Sequence, residues 1–130
     1  MNKLLHVRVR VSDLERSIAW YKEYLGFELE RRTERSPAGN QLAFVRLPGS
    51  EVPIEFCYSP DYELAVPEDL MHFAIGVPDL TAVCAELEAK GLEIWPENWR
   101  EAFAAGRKMA FIIDPDDYEI ELLELKSNKI

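Results

Sequence analysis

Apolar and polar residues alternate one by one from His6 to Val11, with Val7, Val9 and Val11 on one side and His6, Arg8 and Arg10 on the other. A period of two is the pattern of a half-buried strand. His72 to Val77 repeats it, with Phe73, Ile75 and Val77 inward and His72, Ala74 and Gly76 opposite. After each strand the period becomes helical. Ser12-Asp13-Leu14-Glu15 reads as a capping box, Leu14, Ile18, Tyr21 and Leu25 share one helical face, and Gly26 stops the helix. A second helix starts near Pro78-Asp79, carries Leu80, Val83, Cys84 and Leu87, and stops at Gly91. Three short strands complete each half: Phe27–Arg32, Gln41–Arg46 and Pro53–Tyr58, then Leu92–Trp95, Lys108–Ile113 and Glu119–Leu125. Leu47-Pro48-Gly49-Ser50 and Asp114-Pro115-Asp116-Asp117 read as turns. Each half is β-α-β-β-β, and the fold class expected is α+β.

The two halves are copies. The chain has two histidines, His6 and His72, and the residues after them match: Val11, Asp13 and Leu14 recur as Val77, Asp79 and Leu80. Ala43-Phe44-Val45 with Pro48 answers Ala110-Phe111-Ile112 with Pro115, and Ile54-Glu55 answers Ile120-Glu121. Each histidine therefore has a glutamate 49 residues after it. The matched flanks, more than that spacing, establish the duplication. One domain is expected over 1–130, made of two modules at about 1–65 and 66–130, with Ser59 to Leu70 as the linker.

Composition narrows the partners. A chain of 130 residues with 48% hydrophobic and 30% charged positions is globular. Its net charge of −9 repels phosphate backbones and anionic lipid, which argues against nucleic acid and membrane surfaces. No apolar run approaches the roughly 18 residues of a membrane span, and Met-Asn-Lys-Leu-Leu-His is no secretory signal. Cys57 and Cys84 form neither a metal-ligand pair nor a disulfide framework, so a reduced, cytoplasmic setting is the expectation.

Glu55 and Glu121 each alternate with apolar neighbours and so lie on the face opposite to them. If the modules pair about a pseudo-twofold axis, two imidazoles and two carboxylates converge, a ligand set that suits a divalent transition metal. Four protein ligands and two waters make an octahedral site, which favours nickel or cobalt over tetrahedral zinc. Taken singly, a strand histidine is ordinarily a hydrogen-bonded side chain and a strand-end glutamate a solvated one. Their repetition within a duplication points to metal.

These residues resemble the vicinal oxygen chelate superfamily and, within it, glyoxalase I of the short bacterial type. The resemblance runs through Leu4-Leu5-His6, Arg10-Val11, Asp13-Leu14, Arg16-Ser17-Ile18, Tyr21, Leu25-Gly26, Leu42-Ala43-Phe44-Val45 and Ile54-Glu55. It continues through His72, Ala74, Val77, Ala110-Phe111, Asp114-Pro115-Asp116, Tyr118 and Ile120-Glu121-Leu122, nearly the whole chain. It implies a mixed curved sheet forming a metal cleft, with His6, Glu55, His72 and Glu121 as the metal ligands. It also implies isomerisation of the methylglyoxal–glutathione hemithioacetal to S-lactoylglutathione through an enediolate, with Glu121 as the main base and Glu55 as its counterpart. The partners implied are a thiol adduct of a 2-oxoaldehyde and a second copy of the chain, in a homodimer with interfacial sites. Arg10 matches a family position that binds a glutathione carboxylate, Arg8 lies on the same strand face, and Arg107 and Lys108 resemble cationic residues near the family's pocket. Each of these cations has an alternative reading, as a partner for the protein's own carboxylates or as part of a solvated loop.

Two positions depart from the family. Ser59 stands where the family has an asparagine that helps to hold glutathione, and a serine lacks the amide's paired donor and acceptor. Asp117 stands where glycine is usual, and aspartate tolerates a left-handed backbone. Cys57 reads as a small core-like thiol rather than a nucleophile. Trp95, Trp99 and Phe103 read either as a pocket lining or as packing between subunits. Two other functions compete: a methylmalonyl-CoA epimerase-like enzyme, opposed by Glu55 where that family usually has Gln, and a metal-free binding protein of the bleomycin-sequestering kind, which needs no ligand quartet.

Overall fold

The computed structural model describes residues 1–126, and in it the chain falls into two compact units, Met1–Ala65 and Val66–Ile130. The first holds strand β1 (Val7–Arg10), helix α1 (Leu14–Leu25), and strands β2 (Glu28–Thr33), β3 (Gln41–Arg46) and β4 (Ile54–Tyr58). Their order in the sheet is β1-β4-β3-β2, with β1 parallel to β4 and the other pairs antiparallel. The second holds β5 (His72–Val77), α2 (Leu80–Ala89), α3 (Trp99–Ala104), β6 (Ala110–Ile113) and β7 (Glu119–Glu124). Its sheet runs β5-β7-β6, with β5 parallel to β7 and β6 antiparallel to it. The α+β class with two βαβββ-like modules holds, as two sheets rather than one continuous sheet.

Equivalent residues start the two longer helices. Asp13 and Asp79 sit in extended backbone, and their carboxylates accept from Arg16 N and Ala82 N, each at 3.0 Å. The cap is thus Asp13 itself rather than Ser12, whose hydroxyl accepts from the Arg16 guanidinium at 2.8 Å. Gly26 ends α1 at φ 83°, where a side chain would be strained. Helix α1 lies against β3 and β4, and its buried Tyr21 ring stands 4.9 Å from Phe56 and 5.4 Å from Phe27. In the second unit α2 lies against β7, and Leu80, Cys84, Leu87, Ile112, Ile120 and Leu122 are buried. Burial pushes the Cys84 thiol up to about 11, as expected of an inert core cysteine.

The structure corrects one element and adds another. Leu92–Trp95 forms no strand; only Trp95 pairs, bridging Phe111 through two backbone hydrogen bonds of 3.0 and 2.8 Å. Pro96, next along, has no N–H with which to extend a ladder. Helix α3 comes next and buries Trp99, Ala102 and Phe103, residues spaced i, i+3 and i+4. The Trp99 indole N–H donates to Glu88 Oε2 at 3.2 Å and its ring packs 5.3 Å from Phe103. Trp99 and Phe103 are therefore core of the second unit, not pocket lining. Asp117 adopts φ 73°, so the final turn survives the missing glycine, with Asp114 Oδ1 accepting from Asp116 N and Tyr118 N.

Candidate active site

Each sheet turns one face to its helix and carries the candidate site residues on the other. In the first unit Val9, Phe56 and Val45 are core, so alternation sends Arg8, Glu55 and Phe44 to the opposite face. Register does the rest. Glu55 is the lateral partner of Phe44 on one side and of Arg8 on the other. The Phe44 ring stands edge-on to the His6 imidazole, with centroids 5.4 Å apart and planes at 86°. His6 Nε2 lies 3.8 Å from Glu55 Oε2.

The second unit repeats this arrangement. Glu121 is the lateral partner of Phe111 on β6 and of Ala74 on β5. The Phe111 ring is edge-on to His72 at 5.3 Å and 84°, and His72 Nε2 lies 3.2 Å from Glu121 Oε1. Both imidazoles are partly exposed, at 42% and 40% of their side-chain surface. Two donors at right angles on one metal ion, each about 2.1 Å from it, stand about 3 Å apart. The His72–Glu121 pair has that spacing and the His6–Glu55 pair is slightly wider. The donor chemistry and spacing therefore fit a divalent cation. Each unit holds one pair, and neither gathers a third His, Cys, Asp or Glu to it among the described residues.

With this geometry in view, the similarity of the chain to known proteins becomes specific. Residues 3–122 match the profile of the Glyoxalase/Bleomycin resistance protein/Dioxygenase superfamily. The chain is 36% identical to a lactoylglutathione lyase of Haemophilus influenzae, over 98% of this chain and 96% of that protein. It belongs to the glyoxalase superfamily. A probable lactoylglutathione lyase of Vibrio parahaemolyticus is 35% identical, over 95% of this chain and 91% of that one. Among solved structures, the trypanothione-dependent glyoxalase I of Leishmania major superposes with a TM-score of 0.77 at 32% identity, covering 95% of this chain and 87% of that one.

The remaining polar residues divide sharply on this glyoxalase scaffold. Arg8 Nε donates to Glu55 Oε1 at 2.6 Å, and that hydrogen bond raises the arginine's pKa above its ordinary value. Arg10, two residues along the same face, stacks over the Tyr62 ring at 4.0 Å. Ser59 lies half-buried just after β4, where its carbonyl accepts from Tyr62 N. Arg107 is exposed, and its backbone N–H donates to Ala102 O. Lys108 Nζ reaches Glu124 Oε1 at 2.9 Å, while Glu124 Oε2 accepts from Leu80 N at the start of α2. Lys108 is thus turned to the helix side of its sheet, away from His72 and Glu121. Cys57 is buried with Leu42 and Phe44, the packing of a core thiol. An open groove of about 1080 Å³ runs past Phe111 and Trp95, edged by Glu68, Glu93, Glu97 and Glu119 and, among the described residues, by no lysine or arginine.

Phe44 and Phe111, edge-on to the two histidines, are the residues of the candidate site that the sequence pattern did not single out. Their signal was present, since Ala43-Phe44-Val45 and Ala110-Phe111-Ile112 recur 67 residues apart. They read as ordinary core because an aromatic in a strand usually is.

Proposed function

We propose that the protein isomerises the hemithioacetal of methylglyoxal and glutathione to S-lactoylglutathione, in the cytoplasm, as a homodimer. The observation that carries this reading is the duplicated His–Phe–Glu arrangement, with donor pairs spaced for a cation, in a chain with lactoylglutathione lyase relatives over nearly its whole length. A divalent ion held by His6, Glu55, His72 and Glu121, nickel or cobalt before zinc, would supply Lewis acidity where negative charge develops on the substrate oxygens. Each site would take the His6–Glu55 pair from one copy and the His72–Glu121 pair from its partner.

The chain's own residues carry the proton. Glu121 takes it from the carbon bearing sulfur and hydroxyl, and the electrons of that C–H bond form the carbon–carbon double bond of an enediolate, whose negative charge rests on the former carbonyl oxygen. Glu121 returns the proton to the neighbouring carbon, while the hydroxyl proton passes to the other oxygen. The first carbon leaves as a thioester carbonyl and the second as an alcohol, so no outside oxidant is needed. Arg10 suits a carboxylate of the thiol carrier, because a planar guanidinium can offer paired N–H donors to both carboxylate oxygens.

Chelation and reconstitution test the reading. The stripped protein should lose turnover of methylglyoxal plus glutathione, and nickel or cobalt should restore it better than zinc. Full activity after complete stripping, or none after nickel loading, would reject it.

A further inference from the structure

The duplication places an equivalent glutamate beside an equivalent histidine and phenylalanine in each unit, and one lateral neighbour differs. In the parallel pairing of β1 with β4, Glu55 lies opposite Arg8; in that of β5 with β7, Glu121 lies opposite Ala74. The guanidinium takes one oxygen of Glu55 at 2.6 Å, and the other oxygen faces His6. Only 5% of the Glu55 side chain is exposed, against 20% for Glu121. Among the described residues His72 is the one ion-pair partner of Glu121.

From this asymmetry we infer that Arg8 is a positioning residue which pins Glu55, so that only Glu121 is free to swing toward substrate and carry the proton. The inference rests on the proposed isomerase reading and deepens it. A charge-assisted hydrogen bond is roughly twice as strong as a neutral one, and Glu55, nearly buried beside an Arg8 side chain that is 42% exposed, gives that bond up if it moves. Glu121 has an alanine methyl where that anchor would be. The chain therefore derives a fixed carboxylate and a mobile one from a single duplicated position.

The test moves the anchor, using full-length protein loaded with Ni²⁺. Glu121→Gln should lose exchange of the substrate C–H proton with solvent. Adding Arg8→Met to that variant frees Glu55 and should restore exchange by about tenfold or more, an outcome that a merely structural ion pair would not produce. Ala74→Arg, at an exposed position, gives Glu121 the same anchor and should lower turnover by about 10²-fold, within the span of general-base losses. Calorimetry with Ni²⁺ alone, on the apo protein, should find metal binding retained in Ala74→Arg. No rescue by Arg8→Met, undiminished turnover in Ala74→Arg, or its loss together with Ni²⁺ binding would each overturn the inference. If Arg8→Met fails to fold, Ala74→Arg decides alone. Failure of the underlying reading has a different signature: a wild-type protein that binds no Ni²⁺, or a Glu121→Gln variant that keeps full exchange.

Discussion

Set side by side, the two units agree where they pack and differ where they face the chemistry. Asp13 and Asp79 cap equivalent helices with the same hydrogen bond, and Phe44 and Phe111 hold equivalent imidazoles edge-on at nearly the same distance. On the polar layer above them, Arg8 answers Ala74 and Arg10 answers Gly76. At Gly76 a side chain would run into Leu125, which covers that spot. All strand-borne positive charge on these two equivalent strands thus falls on the first unit. Close packing penalises change in the core by several kcal/mol per residue, whereas a solvent-facing layer varies at little cost. After a duplication, that layer is where two identical halves become two different tools.

The sharpest way to break the comparison is to remove each glutamate in turn. Gln preserves an oxygen donor, so metal content should fall modestly in both Glu121→Gln and Glu55→Gln. Turnover should fall about 10²–10⁴-fold in Glu121→Gln, the usual loss for a general base. A smaller loss there than in Glu55→Gln, with metal bound in both, would reverse the assignment.

The cores offer the next contrast. Tyr21 and Trp99 are both fully buried, one under β4 and one in the short helix α3. Truncation of either to alanine should cost about 3–5 kcal/mol, read by chemical denaturation. A Trp99→Ala cost below about 1 kcal/mol would mark α3 as an appendage rather than core.

Acid should act differently on the two units through Glu124, which ties sheet to helix in the second. Lys108, and then the Leu80 N–H, hold the Glu124 carboxyl below its ordinary value. A depressed folded-state pKa adds stability above the unfolded value near 4.5, and that contribution fades as pH falls through the folded value. Wild type should therefore exceed Glu124→Gln in melting temperature at pH 7, with the gap closing below about pH 4.5. A gap independent of pH would show that the charge is irrelevant.

Much of this molecule could be read along the chain. Strand alternation, helical spacing and turn residues are local properties, so the elements around His6, Leu14, Phe44, Glu55, His72 and Glu121 were legible from their neighbours. The duplication then paired each histidine with its glutamate, because matched flanks imply matched folds. Helix α3 also left a trace in the spacing of Trp99, Ala102 and Phe103, but at six residues, and with no side-chain hydrogen bond from Asn98 at its start, it is held by packing rather than by propensity.

Lateral neighbours were decided elsewhere. Arg8 and Glu55 are 47 residues apart, and nothing in either segment states that β1 would lie parallel to β4 in the register that joins them. The same holds for Lys108, which its strand sends to Glu124 and α2 rather than to the histidine face. The sequence by itself determined which residues could hold a cation and which face of each strand they occupy. Only the tertiary structure decided which glutamate lies beside an arginine and which beside an alanine, because register between distant strands depends on the packing of the whole sheet.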